Sequence, residues 1–264
     1  MEKIKKIAIW MVLGLYLVII LGFVSSRNKE LLCKSIDIEI EGCTGNFFID
    51  KEDVLSIIKN EDEKILGYPV RDINKAQLEA VLLDNSFIKR TEVYSTLEGH
   101  LIIEIEQRVP VIRIINNKNE GFYIDNEGFL MPLSDKHSAH VIVGNGQIRD
   151  SYLKRKEINV LSLTEDSDVN DETILKDIYH IAMFIKNNKF WNAQIEQIFV
   201  NRNNELELVP RVGAHIILFG GPEDYVAKFE KLKMMYDKGL KYTDWNGYSK
   251  ISLKYKDQVI CKKN

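Results

Sequence analysis

From Ile7 to Val24 the chain carries no charged residue, while Lys3, Lys5 and Lys6 precede the run and Arg27 and Lys29 follow it. A stretch of this kind is poorly suited to the outside of a globule in water. At about 1.5 Å per residue it is roughly 27 Å long, close to the roughly 30 Å hydrocarbon core of a bilayer, and Ser25 and Ser26 can complete the crossing. Its Leu, Ile, Val and Phe side chains each favour insertion by roughly 0.3 to 0.6 kcal/mol at a helix centre. The run predicts a transmembrane helix at 7–26 behind a cytoplasmic tail at 1–6, with the rest of the chain folded beyond the membrane. A cleaved signal peptide is the competing reading. Its apolar region is shorter, about 7 to 15 residues, and ends in a small-x-small site that Val24 to Ser26 supplies poorly. The count of basic residues gives a weak orientation, because Arg27, Lys29 and Lys34 offset the three N-terminal lysines.

The chain is 45% hydrophobic and 28% charged, enough to bury a core. Its net charge of -3 offers no broad positive field for phosphates, which argues against nucleic acid as a partner. Cys33, Cys43 and Cys261 form no CxxC or Cys/His spacing for zinc or redox chemistry. A Cys33–Cys43 bridge stays open if the compartment oxidises thiols.

Leu32 to Ile40 alternates as a half-buried strand, with Ile36, Ile38 and Ile40 against Asp37, Glu39 and Glu41. Asp50 caps a helix to about Lys59, with Ile49 and Val54 at the staple positions. Asn74, with Gln77 three residues on, caps a second helix from Lys75 to Leu83. Phe87 to Ser95 and His100 to Gln107 alternate about the turn Glu98-Gly99 as a hairpin. The order is β-α-α-β-β, a compact unit with two helices on one face of a sheet.

Beyond Arg108 the pattern changes to short strands: Val111 to Ile115, Gly121 to Ile124 and Phe129 to Leu133. The polar stretch 144–170 reads as an exposed insertion. A helix capped by Asn170 or Asp171 runs to about Asn188, and strands follow at Ile195 to Val200, Glu205 to Val209 and His215 to Phe219. Gly220-Gly221-Pro222 starts a helix with proline first and Gly239 ends it. A last strand, Ser249 to Tyr255, closes the domain, followed by Val259 to Cys261. The fold class is α+β: an N-terminal transmembrane helix, then the β-α-α-β-β unit at 32–108, then a mostly antiparallel β domain with two helices at 109–264.

These residues resemble the FtsQ/DivIB family of cell-division proteins. The β-α-α-β-β unit looks like its POTRA domain, and "EIEQRVPVIRI" at Glu104 to Ile114 is similar to the passage into its β domain. "FYIDNEGFLMPLS" at Phe122 to Ser134 resembles the family's "vD-x-x-G" hairpin, and "IILFGGPEDYVAKFEKLKMMY" its strand, glycine turn and lysine-containing helix. "ISLKYKDQVICKK" is similar to its closing "vDLRY"-type strand, although Lys250 and Ser252 stand near positions often acidic in relatives. The resemblance implies a non-enzymatic divisome scaffold in the inner membrane at the septum, N-terminus cytoplasmic and C-terminal domains periplasmic. It implies recruitment of single-span FtsB- and FtsL-like proteins, and contact with other divisome proteins, through strand addition at the C-terminal edge. The residues implied are Ser249, Ile251, Leu253, Tyr255, Gln258, Val259 and Ile260. From periodicity alone, an ordinary amphipathic core strand explains the closing segment equally well.

Nothing in the sequence implies a cofactor or a catalytic or metal site. His137 and His140 with Asp135 make a weak surface grouping better read as loop. Gly220-Gly221 lacks the remaining glycines and lysine of a P-loop, and the acidic pair Glu104/Glu106 falls on the polar face of a strand. A POTRA-type envelope assembly or chaperone protein is the alternative function. An envelope hydrolase would need a nucleophile and base that the sequence does not present.

Overall fold

The computed structural model describes residues 10–20, 31–41, 48–61, 65–155, 158–163, 173–240 and 245–264. Two compact units, Met1–Gln107 and Arg108–Asn264, are each held by their own contacts. Within the expected transmembrane segment, residues 10–20 are helical (α1) and exposed, and the rest of 7–26 lies outside the described residues. Among the described residues no helix is long and apolar enough to cross a membrane.

The first unit follows the order β1 (Ser35–Glu41), α2 (Lys51–Glu61), α3 (Lys75–Leu83), β2 (Ile88–Ser95) and β3 (His100–Gln107). Capping chemistry starts both of its paired helices. Asp53 N–H donates to Asp50 Oδ1 at 2.9 Å while Asp53 Oδ2 accepts from Asp50 N–H at 3.1 Å, a reciprocal box built from two aspartates. Gln77 N–H donates to Asn74 Oδ1 at 3.1 Å. The staple residues Ile49, Val54, Ile73 and Leu78 are all buried. The sheet order is β1-β3-β2, with β1 parallel to β3 and β2 antiparallel to it. Leu101, Ile103 and Ile105 of the central strand are fully buried, each contributing roughly 1.5 to 3 kcal/mol of apolar transfer.

The second unit is a nine-stranded sheet of order β12-β11-β10-β9-β8-β7-β4-β5-β6. Its strands are β4 (Pro110–Ile115), β5 (Gly121–Asp125), β6 (Leu130–Pro132), β7 (Ile142–Gly146), β8 (Ile195–Val200), β9 (Leu206–Pro210), β10 (Ile216–Gly220), β11 (Tyr248–Ser252) and β12 (Ile260–Lys263). Five of its eight ladders are antiparallel; β4–β7, β7–β8 and β10–β11 are parallel. Helices α5 (Leu175–Asn187), α6 (Lys189–Gln194) and α7 (Tyr225–Lys238) supply the apolar face of the core, where Phe229 stacks with Phe184 at 4.7 Å and tilts against Trp191 at 5.0 Å.

Four expectations are corrected. The stretch from 144 is no exposed insertion: β7 runs through the middle of the sheet between β4 and β8, and Ile148 is fully buried. Two of its charged residues are buried as a pair, since Arg155 Nε lies 2.5 Å from Asp150 Oδ1, and Asp150 also accepts from Thr173 Oγ1 at 2.9 Å, while Gln147, Arg149 and Lys154 are exposed. Residues 164–170 lie outside the described residues. Among the described residues the second unit has four α-helices where two are expected, because α4 (Tyr152–Arg155) joins and a further helix, α6, follows the expected one, with Asn188 capping Phe190 and Trp191. The caps expected at 170 and 171 lie outside the described residues; Thr173 Oγ1 accepts the Leu175 N–H. Proline does not open α7: Pro222 sits in the preceding turn, and the helix begins at Tyr225 behind Asp224 at φ 53°. The closing ladder, finally, ends at Ser252, and the strand at the end of the sheet is β12.

A candidate partner-binding edge

α7 carries the chain from β10 to its parallel neighbour β11, so β11 has a strand on each side: β10 opposite Lys250, Ile251 and Ser252, and β12 opposite the same residues. The outer side of β12 carries no further strand among the described residues. A terminal strand leaves one row of backbone N–H and C=O groups for another chain to satisfy.

The seven residues implied by sequence divide into two groups. Ile251 and Leu253 are fully buried in the core, Val259 packs against it, and Ser249 spends its hydroxyl on the carbonyls of Lys262 and Lys263 at 3.3 and 3.4 Å. These four hold the edge. Tyr255, 51% exposed, and Gln258 project from the β11–β12 connection, and Ile260, 46% exposed, begins β12 opposite Ser252. Only these three present side chains outward.

Two contributors have no strong signal in the sequence. Lys231 on α7 donates from Nζ to the carbonyls of Leu253, Tyr255 and Lys256 at 3.3, 2.6 and 3.2 Å, tying down the connection. Lys262 stands directly opposite Lys250, so like charges meet across the last ladder. The surrounding charge is basic, with one neutralised position where Lys254 Nζ lies 2.5 Å from Glu205 Oε2; that hydrogen bond, with one from Asn201, holds the Glu205 carboxyl below its usual range. Burial pushes the Cys261 thiol up, away from reactivity. Cys33 is a buried free thiol, and Cys43 lies outside the described residues.

Among the described residues no group of three or more His, Cys, Asp or Glu is placed to hold a metal ion. Residues 31–106 match the sequence model of the POTRA-like domain. Residues 109–262, more than half of the chain, match that described as FtsQ/DivIB, C-terminal related. No curated protein matches the chain. The chain belongs to the FtsQ/DivIB family, which implies a cell-division scaffold role.

Proposed function

We propose that this chain is a membrane-anchored, non-enzymatic scaffold of the divisome that recruits FtsB- and FtsL-like single-span proteins to the septum by pairing a partner strand with β12. The position of β12 at the end of a nine-stranded sheet, within the region matched by the FtsQ/DivIB model, carries this reading. Ile260, Tyr255 and Gln258 lie beside the open edge, and the lysines about it discourage pairing between copies while favouring a partner with acidic residues. The uncharged run from Ile7 to Val24 would hold the chain in the inner membrane, N-terminus cytoplasmic, with the domains at 32–108 and 109–264 on the periplasmic side.

The test is co-purification of an FtsB-like coiled-coil partner with the full chain carrying Tyr255→Ala, Gln258→Ala or Ile260→Lys. Binding falls about tenfold or more, as for residues central to an interface, while circular dichroism stays unchanged. Undiminished binding across all three variants refutes the edge. Depletion should give filamentous cells with segregated nucleoids, and normal septation refutes the division role.

A further inference from the structure

The first unit has an open edge of its own. Strand β1 is terminal in the order β1-β3-β2, and Lys34 N–H donates to Gly99 O at 2.7 Å as the strand enters its parallel ladder. The ladder itself begins at Ser35, and backbone polar groups alternate sides along a strand. Thr96 N–H donates to His100 O at 2.9 Å, so His100, Ile102 and Glu104 of β3 turn toward β2, and Leu101, Ile103 and Ile105 turn toward β1. In the parallel register these meet the backbone groups of Ser35, Asp37 and Glu39. The N–H and C=O groups of Ile36, Ile38 and Ile40 then point away from the sheet, and no described residue is seated on them. The opposite edge is closed differently: Val93 N–H of β2 donates to Glu79 Oε1 of α3 at 2.8 Å, and Lys75 Nζ donates to Ser95 Oγ at 2.9 Å.

Charge says what the open edge accepts. Asp37, Glu39 and Glu41 lie on the sheet face away from the helices, and the register continues them into the cross-strand rows Glu39–Glu104–Glu92 and Glu41–Glu106–Arg90. The cations on this face are engaged on β2 and β3, Arg90 with Glu92 and Lys89 with Glu106. No lysine or arginine among the described residues stands against the three β1 carboxylates. Like charges directly opposite destabilise a sheet. They also repel a second acidic strand, so pairing with another copy of β1 is disfavoured and a basic strand is the matching occupant. The other face of β1 is aliphatic, with Ile38 buried and Ile36 and Ile40 packed against the core.

We propose that β1 is an acceptor edge for an extended protein segment alternating lysine or arginine with aliphatic residues. Its basic side chains lie over Asp37, Glu39 and Glu41, and its aliphatic ones extend the Ile36–Ile38–Ile40 face. This site is independent of β12.

The probe is a synthetic octapeptide alternating lysine and valine, added to the full chain and followed by amide exchange. Exchange at the Ile36, Ile38 and Ile40 amides should slow about tenfold, the signature of backbone pairing, with Ile103 unchanged. Equal protection by a peptide of the same composition with its lysines in one block overturns the proposal, because charge neutralisation alone would then suffice. So does unchanged exchange. Ile40→Pro removes an outward N–H without touching the ladder to β3, a substitution an edge tolerates, and should abolish the protection. If that variant fails to fold, Glu39→Lys with Glu41→Lys decides. The doubly substituted chain should prefer the alternating glutamate–valine octapeptide, and a retained preference for the lysine peptide refutes the idea.

Discussion

Arg108 Nη1 lies 2.7 Å from Oδ2 of Asp125, a carboxylate with no exposed surface. The other oxygen, Oδ1, accepts the backbone N–H groups of Glu127 and Phe129 at 2.9 and 2.8 Å, and the Arg108 guanidinium lies 4.6 Å over the Phe129 ring. One buried side chain thus fixes the β5–β6 turn and anchors the residue that opens the second unit.

Asp125→Ala leaves a largely buried guanidinium and two turn N–H groups without their acceptor. Breaking a buried pair from one side costs about 3 to 5 kcal/mol. Urea unfolding should show a loss of that size, and a loss below about 1 kcal/mol would show that water replaces the carboxylate.

Much of the first unit is legible in the sequence because local chemistry specifies it. Asp50 with its Ile49–Val54 staple and Asn74 with Gln77 announce their helices, and the Leu101-Ile103-Ile105 alternation survives unchanged as the buried side of β3. β7 is illegible for the opposite reason. Two of its five residues are glycine, and its partners β4 and β8 are remote in the chain, so its burial depends on tertiary pairing. The edge is misplaced because alternation outlasts the ladder: Leu253 is still inward-facing, and its N–H donates to Leu218 O at 2.9 Å after β11 has ended. At the candidate site, periodicity identifies Ile251 and Leu253, but it carries no signal for Lys231, whose acceptors are backbone carbonyls brought near by folding.

The glycines of β7 give a graded prediction. A Cβ at Gly144 would sit 2.8 Å from Ile114 Cδ1 and 3.1 Å from Ile112 Cδ1, the movable ends of side chains, so Gly144→Ala costs about 1 to 3 kcal/mol by overpacking. Gly146, at φ 105°, would drive its Cβ into the Val200 backbone, which cannot swing aside. Thermal melting should rank Gly146→Ala as the more damaging, and the reverse order would contradict the close approach.

His215 is 1% exposed, and its Nε2 is 3.0 Å from the Tyr236 hydroxyl. Burial lowers its pKa below the ordinary 6.5, and the Trp245 backbone opposes the shift only in part. The unfolded imidazole therefore takes up a proton before the folded one does. The stability it contributes is complete above 6.5 and falls as pH drops from there toward the folded pKa. Unfolding free energies at about pH 7.5 and about pH 5.5 should differ more for the parent than for His215→Gln, which cannot titrate. Equal differences in the two proteins would remove His215 as the cause.

Lys231 separates positioning of the edge from stability of the core. Lys231→Met keeps the aliphatic stem along α7 but leaves the Leu253, Tyr255 and Lys256 carbonyls without their shared donor. These carbonyls lie where the chain turns from β11 into β12, so their release should loosen that connection while Ile251, paired on both sides, keeps its place. Amide exchange at Gln258 and Val259 should accelerate about tenfold or more with Ile251 still protected, the pattern of local rather than global opening. Partner binding should fall with it if β12 is the docking strand. Acceleration at Ile251 to the same extent would instead make Lys231 a general stabiliser of the sheet. Unaltered exchange throughout would mean that the ladder to β11 alone holds the edge in register.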